Sequence, residues 1–132
     1  MNTVQLTWGN TDETILVLTF SNGWTSEDCL KVVEKAYSLI ISKPYQVHII
    51  LNFGSVRHVP SDWAVLILKS SKYYSVNFGL IVAITQSFFP QQFYSMTRYL
   101  YPKDLQIHFV SNCAEAHQLL ELHNNDEENV VV

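Results

Sequence analysis

The chain has 132 residues, 48 % of them hydrophobic and 15 % charged, which suits one compact domain and excludes an intrinsically disordered chain. A net charge of −4 leaves no basic footprint for nucleic acid or an anionic membrane surface. The main apolar runs, Val47–Leu51, Trp63–Leu68 and Leu80–Ile84, fall far short of the roughly 20 residues that span a bilayer.

Thr3–Trp8 alternates polar and apolar residues, and Thr14–Phe20 is rich in β-branched and apolar ones. The turn formers Gly9, Asn10, Thr11 and Asp12 between them predict an antiparallel hairpin. After the break at Ser21-Asn22-Gly23, Thr25–Ile41 reads as the clearest helix. Thr25 is its N-cap, Asp28 stands at the capping-box position, and Leu30, Val33, Tyr37 and Ile40 recur at helical spacing. Lys43-Pro44 ends it, because a residue before proline avoids helical angles.

Gln46–Phe53 carries the continuous apolar run of a strand buried on both faces. Pro60-Ser61-Asp62 then signals a helix start, and the spacing predicts a helix over 61–75 with Ser61 suited to capping. Asn77–Thr85 reads as a second buried strand. Phe89–Tyr101 reads as a helix with Pro90 in its first turn, stopped by Pro102. Leu105–Val110 alternates like an edge strand with one wetter face. Asn112 and Glu115 open a last helix that should run to about Leu122 and fray from His123. Residues 1–123 thus form one α/β domain, and 124–132 an acidic, flexible tail.

The order β-β-α-β-α-β-α-β-α calls for right-handed crossovers. The predicted architecture is therefore a mostly parallel central sheet with an N-terminal antiparallel hairpin. Open sheets of this kind gather ligands and partners beyond the carboxyl ends of their strands. That directs attention to the loop after Phe53, with Gly54, Ser55, Arg57 and His58, and to Asn52 just before it.

The chemical candidates are weak by spacing. His58, Ser61 and Asp62 have the residue types of a nucleophilic triad, but groups so close on one turn cannot adopt its geometry, and no G-x-S-x-G elbow is present. The histidines at 48, 58, 108, 117 and 123 form no metal-binding spacing; His48, inside a strand, reads as a core or subsurface histidine holding a hydrogen bond. The four glycines build no phosphate cradle. Cys29 and Cys113, each in a predicted helix, read as reduced, partly buried thiols. No residue is assigned as catalytic or as a metal ligand, and no cofactor or enzymatic activity is expected. The N-terminal segment has neither a basic region nor an apolar stretch, so a cytoplasmic location is expected.

Across residues 3–122 the element order resembles the STAS domain, the sulphate-transporter and anti-sigma-factor-antagonist family, and its wider SpoIIAA-like superfamily. The family's central strand leads into Asp-Leu-Ser-Gly-Val, two variable residues and Ile-Asp-Ser-Ser-Gly. Here the stretch reads Asn52-Phe53-Gly54-Ser55-Val56, Arg57-His58, then Val59-Pro60-Ser61-Asp62-Trp63. The closing Ser111-Asn112-Cys113-Ala114-Glu115-Ala116 is similar to the family's Ser-x-x-Glu-Ala-like last helix. Asn52, Pro60 and Trp63 stand where the family has aspartate, aspartate and glycine. The resemblance implies a non-enzymatic regulatory or protein-interaction module. It places Ser61 as a phosphoryl acceptor or anion contact at a helix start, with a regulatory kinase or signalling protein as the partner. The partner surface would comprise Asn52, Ser55, His58, Asp62 and Trp63, with Ser87, Phe88 and Phe89 alongside.

One feature supports a rival. Phe88, Phe89, Phe93, Tyr94, Tyr99 and Tyr101 crowd one predicted helix, with Tyr73, Tyr74 and Phe78 nearby in the chain. A single helix cannot bury aromatics all round, so the surplus suggests a homodimer face or an apolar pocket. In the pocket reading the protein carries a small apolar or lipid-like ligand between helix 89–101 and the sheet, against Phe89, Phe93, Tyr73 or Tyr74.

Overall fold

The computed structural model describes residues 3–54, 56–85, 95, 98, 99 and 107–129. The chain begins with β1 (Val4–Trp8) and β2 (Ile15–Phe20), an antiparallel pair in which Leu6 faces Leu18. Asn10 builds the connecting turn: its Oδ1 accepts from the Thr14 and Ile15 backbone N–H groups at 3.0 and 3.2 Å. A tight turn follows β2, with the Trp24 N–H donating to the Ser21 carbonyl and Gly23 at φ +84°. That left-handed angle suits a residue without a Cβ.

Helix α1 (Ser26–Ile41) is capped as its sequence requires, by Thr25 Oγ1 accepting from the Asp28 N–H at 3.1 Å. The box is only half closed, because the Asp28 carboxylate accepts from Thr3 Oγ1 instead. Beyond the helix, Asn77 Nδ2 donates to the Ile40 carbonyl at 2.6 Å, tying the end of α1 to the approach of β4.

β3 (Val47–Asn52) and β4 (Phe78–Ile84) are the buried strands, and β5 (Ile107–Val110) lies at the edge. The sheet runs β1-β2-β3-β4-β5, with every pair parallel except the first. This is the α/β class with a mixed five-stranded sheet, three helices being described. The expected helix over 89–101 falls almost wholly outside the described residues.

Helix α2 (Trp63–Ser70) is shorter than the predicted 61–75. Ser61 does not cap it. Asp62 is the N-cap residue but, at φ −95° and ψ 24°, is not in the extended conformation of a capping residue and makes no side-chain cap bond; its carboxylate accepts from Ser26 Oγ at 2.6 Å. Helix α3 (Cys113–Asn129) corrects the expectation in the other direction. It passes the predicted end at Leu122 and runs to Asn129, since 123–129 holds no glycine or proline to break it. Its start is closed by Asn112 Oδ1 accepting from the Glu115 N–H at 2.9 Å, while Glu115 accepts from the Ser111 N–H.

The strand period divides the core. Leu16, Leu18, Phe20, Ile49, Phe53, Ile81 and Ala83 meet α1 and α2 on one face. Ile50, Leu80, Val82 and Ile84 meet Ala116 and Leu120 of α3 on the other. His48 lies inside the sheet, 4 % exposed, and its Nδ1 accepts from the Leu80 N–H at 2.9 Å. The β3–β4 register shifts between Val47 and Ile49, beside this histidine. Its ring covers Gly79, where any Cβ would run into Nδ1. On the far side it meets His123 edge-on, centroids 5.2 Å apart.

Candidate functional site

Two places in the fold have the form of a site. The first is the loop leaving the carboxyl end of β3. Asn52, half buried, turns its Oδ1 onto the Gly54 N–H at 2.9 Å, so its side chain shapes the turn and does not reach outward. Phe53 and Val56 are buried at 3 % and 1 % exposure and anchor the loop in the core. Asn22 Oδ1 accepts from the Arg57 N–H at 2.9 Å and fixes its outer side. Arg57, His58, Ser61 and Asp62 are then exposed, with Trp63 half buried behind them. Because the Asp62 carboxylate is held by Ser26, the three triad-type residues show no relay. Ser55, Ser87, Phe88 and Phe89 lie outside the described residues. From Asp62 a groove of about 400 Å³ continues between α1 and α2, with Leu30, Val65 and Leu66 on its apolar side. Glu27, Glu34, Lys31 and Lys69 form its charged rim.

The second place is an apolar cavity of about 120 Å³ between the sheet and the two helices on the α1 side. β2, β3, β4 and β5 supply Leu18, Ile49, Ile81 and Phe109; α1 supplies Cys29, Val33, Ala36 and Ile40; α2 supplies Leu66, Ile67 and Ser70. At one end stands an aromatic cluster. Phe53 stacks on Phe20 with centroids 4.1 Å apart, and Trp24 meets Phe20 edge-on at 4.9 Å. Tyr37 and Tyr73 also border the void, edge to face at 5.7 Å. The Tyr73 hydroxyl donates to Glu34 at 2.7 Å, which raises its pKa.

No charged side chain is among the described residues of this wall. Burial pushes the thiol of Cys29, in this wall, from 9.0 up to about 12. A thiol so placed stays protonated and is a poor nucleophile. Cys113, expected to be partly buried, is exposed, and both cysteines are free.

This cavity lies elsewhere than the pocket expected between helix 89–101 and the sheet, which falls outside the described residues; of the side chains named for that pocket, Tyr73 borders this one. Trp24, Phe20 and Phe53 were not legible as pocket residues. One signal was available. Trp24 precedes the N-cap and Cys29 is the fourth helical residue, the two positions of a hydrophobic staple, and both border the void. Among the described residues no group of three or more His, Cys, Asp or Glu could hold a metal ion. None of the described helices is long and apolar enough to cross a membrane. Comparison with protein-family models, curated proteins and solved structures finds no match to this chain.

Proposed function

We propose that this domain is a non-enzymatic binding module for a small apolar molecule, held between the sheet and helices α1 and α2. The observation that carries the reading is the apolar pocket of about 120 Å³ between the sheet and the two helices. Protein interiors pack to crystal density, and unfilled apolar space in them is costly. An occupant recovers much of that cost. Cavities of similar size lined by aliphatic and aromatic side chains stay dry and accept benzene. The neutral Cys29 thiol fits a wall that binds and does not react. Toluene added in excess is expected to raise the melting temperature, since any ligand selective for the folded state stabilises it; at about 100 times Kd the gain is about 2.7 kcal/mol. No shift at saturating toluene would count against the cavity.

A second reading rests on the anchored loop. The STAS resemblance makes 52–63 a partner surface with Ser61 as its phosphoryl acceptor, and the exposure of Ser61 favours it. A rigid backbone presenting exposed polar side chains beside a groove suits a protein partner. Mass spectrometry of the protein from its own host separates the readings. A phosphoryl increment mapped to Ser61 supports the switch, whereas a non-covalent adduct lost on denaturation supports the cavity.

A further inference from the structure

The cavity wall contains a polar group that has not found a partner. Trp24 borders the void and is only 4 % exposed. Its indole Nε1–H is shut off from water and has no acceptor among the described residues. A buried donor in that state bears its desolvation cost without return. Two phenyl rings without acceptors pack against the indole, Phe20 at 4.9 Å and Phe53 at 5.9 Å between centroids. The indole is part of the cavity wall, so an occupant of the void lies against Trp24.

Resting on the cavity reading above, we propose that the occupant is an uncharged, ring-sized molecule with one hydrogen-bond acceptor, a ketone, aldehyde or ester oxygen, and that Trp24 Nε1–H is the donor that selects it. Size follows from the volume, since about 120 Å³ takes one six-membered ring and little more. Neutrality follows from the wall, because an anion there would lose its hydration and meet no cation among the described lining residues. The preference for an acceptor follows from the asymmetry of buried hydrogen bonds. A site with one unpaired donor rewards the ligand that pairs it and gains nothing from the hydrocarbon of the same shape.

Cyclohexanone and methylenecyclohexane differ only in C=O against C=CH₂ and serve as the matched probes. The ¹⁵N-labelled protein has three indole N–H signals, from Trp8, Trp24 and Trp63, and the Trp24→Phe variant identifies the middle one by its loss. Cyclohexanone is expected to move the Trp24 indole proton downfield, and methylenecyclohexane to bind without doing so. Trp24→Phe changes the wall for both ligands, so the reading is the difference: it should weaken cyclohexanone binding about tenfold more than methylenecyclohexane binding, the scale of one net hydrogen bond. If both probes bind and neither the proton shift nor the variant separates them, the donor assignment is overturned while the cavity stands. If neither binds, the cavity reading and the assignment fall together. Should Trp24→Phe not fold, the downfield shift in the unaltered protein decides alone.

Discussion

Replacing Ala36 with leucine distinguishes a real void from a tightly packed core by the sign of the stability change. Ala36 lies on the inner face of α1, 6 % exposed, and borders the cavity. Leucine adds three carbons, each worth about 0.8 kcal/mol when buried, so filling the void should stabilise the fold by about 2 kcal/mol. Helix propensity opposes it only slightly, because leucine ranks close to alanine. In a core without free space the same three carbons overpack and cost about 1–3 kcal/mol. The two cases therefore differ in sign. Urea unfolding reads it directly: with a slope near 2 kcal/mol/M, the filled cavity moves the midpoint up by about 1 M. The variant should also lose the thermal stabilisation by toluene. A lowered midpoint with an unchanged slope would refute the void and the binding reading built on it.

The buried thiol makes a prediction of opposite character. Only Cys113 should react with a thiol reagent in the native protein, and both cysteines in denaturant; two fast thiols under native conditions would contradict the burial of Cys29. Because the folded state holds the Cys29 proton up to about 12 while an unfolded thiol releases it near 9, this group's contribution is complete below pH 9. It is lost as pH rises toward 12, at about 1.4 kcal/mol per unit. Cys29→Ala should flatten that alkaline slope, and a slope unchanged in the variant would remove the thiol as its cause. Gly79→Ala should destabilise by about 2 kcal/mol through overlap with the His48 ring, and much less in a His48→Ala background, as a double-mutant cycle measures; additive effects would show that the two residues do not press on each other. Thr25→Ala should cost about 1 kcal/mol in urea unfolding by uncapping α1, and a neutral result would mean the Oγ1 bond adds nothing.

What the sequence discloses of this fold follows from where its physics is local. The hairpin, α1 and the two buried strands are each written in contiguous residues: turn formers at 9–12, a cap at Thr25, apolar runs at 47–51 and 80–84. The errors fall where a distant group intervenes. Pro60-Ser61-Asp62 reads as a cap signal, but Ser26, on another helix, occupies the Asp62 carboxylate, and α2 begins without a side-chain cap. The polar run after Leu122 reads as a fraying end, yet continues helical to Asn129. His48 is the favourable case, since one histidine in an apolar strand has to find a hydrogen bond, and the Leu80 N–H supplies it.

A cavity is the opposite kind of feature. The strand residues of its wall, such as Leu18, Ile49 and Ile81, belong to apolar runs that read as buried, and nothing in those runs records what the facing side chains leave unfilled. Four small side chains, Cys29, Ala36, Ser70 and Ala83, come together in its wall from two helices and a strand. Close packing of that space with larger residues would be the ordinary solution for a domain of this composition. The loop after β3 is more legible, because strand ends and turn residues mark it, yet Asn52 shows the limit of reading it by residue type. A polar side chain at a strand end can face a partner or fold its own turn, and here its oxygen closes onto Gly54. Phe53, the next residue, joins the two places: its backbone begins the loop and its ring forms part of the aromatic end of the cavity. A substitution at Phe53 would disturb both, so the readings are separated by changes that touch one alone, Ala36→Leu in the cavity wall and Ser61→Asp on the exposed loop.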